Sequence, residues 1–93
     1  MFLEIVTPEA ILFSSEVDSI SVPGINGEFQ MLNNHAPVVS VLKEGKIKIQ
    51  ATNFSIDEKY ESKFSKESDG KVSFEINSGT LELNDNKAII LAD

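Results

Sequence analysis

The chain has 93 residues, 41% of them hydrophobic, and a chain of that size buries about two-thirds of its unfolded surface, enough for one core in one domain. Fifteen acidic against eight basic residues give a net charge of −7, which opposes general attraction to nucleic acid or to anionic lipid headgroups. With no cysteine, a disulfide framework, a thiolate nucleophile and a thiolate zinc site are all excluded.

The opening MFLEIVTPEAILF lacks a basic leader before a long apolar run and carries glutamates, so neither a secretory signal nor a transit peptide is expected. No window approaches the roughly 20 apolar residues that span a bilayer. Membrane association is therefore expected only through a partner.

In chain order, FLEIV, VDSISV and EFQML are short apolar-rich segments bounded by turn formers. Pro23-Gly24 and Asn26-Gly27 read as turns that reverse the chain between the last two, leaving Glu28 beside an exposed tip. PVVSVL follows, and then GKIKIQA, in which Ile47 and Ile49 oppose Lys46, Lys48 and Gln50. In KVSFEIN, Val72, Phe74 and Ile76 oppose Lys71, Ser73, Glu75 and Asn77, and Leu81 and Leu83 repeat the alternation in TLEL. This period of two puts one set of side chains on a buried face and the other in water, the mark of a strand. AIILA closes the chain after Asn84-Asp85-Asn86, whose residues tolerate the left-handed backbone a tight hairpin needs.

Residues 51–70, ATNFSIDEKYESKFSKESDG, form a polar excursion with a weaker pattern. Ile56, Tyr60 and Phe64 are four apart and Ser55 to Glu58 resembles a capping box, which would suit a short helix. Tyr60, Ser62 and Phe64 also suit extended structure and Asp69-Gly70 a turn, so the reading favours a long hairpin there. With no linker and no internal repeat, the expectation is a single all-β domain over 1–93, a β-sandwich or barrel of about eight to ten short strands.

The candidate sites are sparse. His35 is the only histidine, flanked by Asn33, Asn34, Ala36 and Pro37, with no nucleophile or carboxylate beside it to make a general base. One histidine and scattered carboxylates make a poor metal set, and Asp57, Glu58, Asp69 and Asp85 lack the alternating spacing of a calcium loop. Gly24 and Gly27 are followed by neither Lys-Ser/Thr nor a helix start, so they do not make a phosphate loop. Asn53-Phe54-Ser55 is a formal glycosylation sequon, set aside for want of a signal peptide. No catalytic residue, metal or cofactor is expected, and the residues describe an acidic all-β interaction module.

The stretch GINGEFQMLNNHAP, residues 24–37, resembles the segment GxxGExxxLxxHAP of the epsilon subunit of F-type ATP synthases. LEIVTPEAILFSSEVDSISVPG, LKEGKIKI and FEINSGTLELNDNKAIILAD resemble other segments of that family in the same order, so the resemblance covers nearly all of the chain outside 51–70. It implies a flattened β-sandwich at the foot of the rotating central stalk, against the gamma subunit and the membrane-embedded c ring, on the cytoplasmic face of the bacterial inner membrane. It further implies that Asn26, Gly27 and Glu28 face the polar loops of the c ring, and that His35, Ala36 and Pro37 form an interface or loop-fixing turn on the gamma side. The chain departs from the commoner bacterial pattern at Leu91-Ala92-Asp93, where many members continue into a helical hairpin; that hairpin, with its inhibition and nucleotide binding, is not expected here. Two other classes stand against this rotor role. One is a free-standing β-sandwich binding peptide or carbohydrate, which the absence of tryptophan disfavours, and the other a small hydrolase built on His35, which lacks a nucleophile.

Overall fold

A computed structural model of the protein describes residues 1–53 and 55–93. Phe54, the middle residue of the sequon, lies outside the described residues. Ten strands form one curled sheet: β1 (Phe2–Val6), β2 (Ile11–Glu16), β3 (Ser19–Gly24), β4 (Gly27–Leu32), β5 (Val38–Leu42), β6 (Gly45–Gln50), β7 (Phe64–Lys66), β8 (Val72–Ile76), β9 (Gly79–Asn84) and β10 (Lys87–Ala92). All eight segments read from the sequence are strands, and β2 and β7 complete the set.

The order β2-β1-β10-β9-β5 makes one half of the sheet, and β4-β3-β6-β8-β7 makes the other. A single pair, Gly24↔Leu42, joins them. The halves curl over a shared core in which Leu3, Ile5, Leu81, Leu83, Ala88 and Ile90 of the first meet Ile20, Val22, Met31, Ile47 and Ile49 of the second. Among the described residues only one strand pair is parallel, β1 beside β10 in the register Phe2↔Lys87 to Val6↔Leu91.

Asn26-Gly27 and the Asn84-to-Asn86 segment turn as the sequence reads, whereas Pro23-Gly24 is not a turn of its own: both residues close β3, paired with Glu28 and Gly27. Asp85 and Asn86 connect β9 to β10 with φ of 51° and 60°, the paired positive values of a type I′ hairpin. Ile25 and Asn26 connect β3 to β4, and Gly27 takes up φ of 126°, open to glycine alone at low cost. Thr7 and Ala10 exchange backbone hydrogen bonds of 2.9 and 3.3 Å across Pro8-Glu9, which closes the hairpin from β1 to β2.

Three further sequence readings need correction. The stretch 51–70 is not one long hairpin: Glu58–Lys63 is a 3-10 helix, and only after it does a short hairpin pair β7 with β8. Its cap is Asp57, whose Oδ1 accepts the Lys59 N–H at 3.0 Å, and not Ser55. Ile56, Tyr60 and Phe64 pack against the core, so apolar burial on one side of this segment outweighed the strand preference of Tyr60. The Phe64 ring centroid lies 6.0 Å from that of Phe13 and 5.1 Å from that of Phe74. Finally, Ser73 is buried, where alternation placed it in water: Glu67 reaches over β8, its Oε2 accepts the Ser73 hydroxyl at 2.9 Å, and it pairs with Lys46 at 3.6 Å.

β3 is buried along its whole length. Ile20 and Val22 face the core, while the outward Ser19, Ser21 and Pro23 lie between longer side chains of β4 and β6. Lys48 sits opposite Ser21 and Glu28 opposite Pro23, so their 3.8 Å ion pair crosses over β3.

The tightest backbone approach is at Gly79, where a Cβ would lie 2.5 Å from the Leu91 carbonyl oxygen. Gly79→Ala is expected to destabilise the fold by about 1–3 kcal/mol, the cost of forcing atoms into a packed site, read as a lower urea midpoint. A change below about 0.5 kcal/mol would mean that β9 and β10 separate freely there.

Candidate functional site

The residues singled out from the sequence fall into two groups at opposite ends of β4. Asn26, Gly27 and Glu28 form the β3–β4 tip; His35, Ala36 and Pro37 lie in the β4–β5 connection. The strand residues Phe29 to Leu32 lie between them, a span of about 13 Å at 3.3–3.4 Å per residue before the connection begins, so they do not make one site.

At the tip, Asn26 is exposed, and Glu28 is half-exposed and shares its carboxylate with Lys48. An ion pair this open to water contributes at most about 1 kcal/mol, so Glu28 can be drawn to another cation at little cost. In the connection, Asn34 has φ of 63°, and the His35 N–H returns to the Leu32 carbonyl at 3.2 Å. His35 is exposed, and its Nδ1 lies 2.6 Å from the Ala36 carbonyl. Since a carbonyl only accepts, that contact puts the proton on Nδ1 and directs Nε2 outward. Neither an acid nor a nucleophile completes a catalytic set around the ring, and among the described residues no group of three or more His, Asp or Glu converges as metal ligands.

The sequence reading missed a row of exposed aliphatic side chains. On the outer face of the first half-sheet, Ile11, Val6, Leu91, Thr80 and Val41 stand side by side across β2, β1, β10, β9 and β5. Ile25 at the tip extends the row, its N–H reaching the Val41 carbonyl at 3.3 Å. Ile11, Val41, Leu91 and Ile25 are each 53 to 57% exposed, and Val39, one row over, is 77% exposed. The neighbouring row, Glu4, Ile89, Glu82 and Val39, is acidic at two positions. One signal could have found this: in PVVSVL the valines fall on both faces of one strand, the pattern of a strand covered on both sides. Within the protein only one side of β5 is covered.

β5 also relates the two predicted groups. It leaves the His-Ala-Pro connection at Val38 and runs back toward the tip, where Leu42 pairs with Gly24 and the Ile25 N–H reaches the Val41 carbonyl. Contiguous apolar surface with a charged rim is the anatomy of a protein–protein contact. Fold and surface together define an all-β sandwich domain with an exposed aliphatic face.

Comparison with known proteins gives that class a family. The family model for the beta-sandwich domain of the ATP synthase delta/epsilon chain matches residues 1–93. The ATP synthase epsilon chain of Chlorobaculum tepidum is 37% identical over 91 residues, which cover 98% of this chain and 86% of the relative. That of Campylobacter curvus is 38% identical over all of this chain, which spans 60% of it. Two solved structures superpose with a TM-score of 0.72 at 19% identity: the Tetrahymena thermophila mitochondrial ATP synthase central stalk/c-ring, where the match covers 99% of this chain and 62% of that one, and the Euglena gracilis mitochondrial ATP synthase OSCP/F1/c-ring, where it covers 97% and 48%. The chain belongs to the ATP synthase delta/epsilon family, as an epsilon-type subunit whose association with the membrane runs through the complex.

If the row is a docking face and not part of the fold's own packing, Val39→Thr with Val41→Thr should change stability by less than about 0.5 kcal/mol per site in urea denaturation. A loss above 2 kcal/mol in all would show that these valines pack within the chain.

Proposed function

We propose that this chain is a central-stalk subunit that joins the gamma subunit to the c ring and so couples ion-driven rotation to ATP synthesis, without making or breaking bonds itself. The observation that carries the reading is the aliphatic row on a domain of this family, the exposed Ile11, Leu91, Val41 and Ile25 with the half-buried Val6 among them. Such a row suits a broad contact with gamma, because desolvating aliphatic anchors at the centre of an interface supplies most of its binding energy. The Asn26-Gly27-Glu28 tip would meet the polar loops of the ring, where a charge-assisted hydrogen bond from Glu28 supplies orientation. His35, Ala36 and Pro37 would border the gamma side. Work at the cytoplasmic face of a bacterial inner membrane follows from that assembly, with both contacts made to protein and none to lipid.

A carbohydrate-binding role gains nothing from the described surface, since among the described residues the exposed large hydrophobics are aliphatic and none offers a ring for stacking.

Co-expression with gamma and c ring separates the two contacts. Val41→Glu is expected to cut gamma capture by at least tenfold, about 1.4 kcal/mol, while the domain stays folded. Glu28→Gln should leave gamma capture intact and weaken ring recovery; it is a cleaner probe than Glu28→Lys, which also sets a second cation beside Lys48. Failure of the folded wild-type domain to capture gamma would defeat the assignment.

A further inference from the structure

The sequence makes Asn86 a turn former, and the structure gives its side chain a second task. With its backbone at φ of 60° in the β9–β10 hairpin, Asn86 directs its amide at a loop more than fifty residues away. Its Oδ1 accepts the Asn34 backbone N–H at 2.8 Å, and its Nδ2 donates to Asn33 Oδ1 at 3.4 Å. Its own carbonyl accepts the Phe2 N–H at 3.0 Å, which fixes the hairpin to β1. One fork carrying an acceptor and a donor therefore holds two successive residues of the connection that leads to His35.

We propose that Asn86 is a positioning residue, a clamp that presets the Asn33-Asn34-His35 turn and thereby presents His35, Ala36 and Pro37 at the edge of the docking face. The proposal rests on the gamma-facing reading given above. Asn34 holds φ of 63°, a conformation that a residue with a Cβ adopts at a cost, so the turn gains from a bond that makes this state the preferred one. The two clamp bonds are exposed, so they add little to global stability, and their effect is to order a contact loop before binding. Hairpin geometry alone explains only the backbone of Asn86. Glycine would serve the turn equally well and carry no fork.

Two variants of the whole chain test this. Asn86→Gly keeps the positive φ and removes the fork; Asn86→Asp keeps an acceptor for Asn34 and removes the donor. Hydrogen exchange followed by NMR should show the Asn34 amide exchanging about tenfold faster in Asn86→Gly, the factor that one hydrogen bond supplies, with most protection restored in Asn86→Asp and core amides unaltered. Titration with purified gamma should give a weaker Kd for Asn86→Gly by a similar factor, and recovery in Asn86→Asp. Equal exchange at Asn34 in wild type and Asn86→Gly would overturn the clamp, and faster exchange with unaltered gamma affinity would overturn its positioning role. If wild type does not bind gamma, the rotor reading fails, and the exchange comparison still decides whether the clamp exists.

Discussion

The parallel pairing of β1 with β10 is the constraint on which the rest depends. Every other strand pair is antiparallel, and most are hairpins or near neighbours, whereas this one closes a loop of more than eighty residues. Closing so long a loop costs entropy that only a large apolar contact can offset. Leu3 and Ile5 on one strand and Ala88 and Ile90 on the other, all wholly buried, provide it. The same pairing sets the surface. Val6 stands beside Leu91 only because β1 and β10 are in this register, and a shift by one residue would turn Val6 and Leu91 toward different faces.

Much of the fold was legible because period two survives wherever a strand has one wet face. β6 and β9 show it plainly, and Asp85-Asn86 adopts the backbone that the sequence called for. The pattern fails where a second cover exists. Ser73 lies under Glu67, and Ser19 and Ser21 lie between the side chains of β4 and β6, covers that the strand's own alternation does not reveal. β2 escaped because a register shift beside Val6 places Leu12 and Phe13 both inward, breaking the alternation. In 51–70 the same residues fit either period. Only packing of Ile56, Tyr60 and Phe64 onto the core decides for a turn of helix, and that is tertiary information.

The site was legible in a different sense. Composition and periodicity marked the tip and the His35 connection as turns and nothing more; their expected contacts came from resemblance. The aliphatic row was physically present in PVVSVL and LAD, yet a single sequence cannot tell an exposed valine from a valine under a second layer. What distinguishes them is the three-dimensional register that lines up Ile11, Val6, Leu91 and Val41.

On the proposed role, these features divide the work of a contact that would carry torque. Affinity comes mainly from desolvating aliphatic groups, which is non-directional and by itself permits sliding. Direction has to come from polar groups held in fixed places. Glu28 is poorly suited to supply affinity, since its pair with Lys48 is open to water, but it can exchange that pair for another without a large penalty. The connection at His35 lacks such freedom: bonds from Asn86 and from the Leu32 carbonyl hold it before any partner arrives. On the rotor role proposed above, an adaptable carboxylate at one end and a preset turn at the other would let the domain seat firmly on one partner while its charged tip adjusts to the groups of the second. That combination follows from placing both ends on a rigid sheet whose register is fixed by β1 and β10.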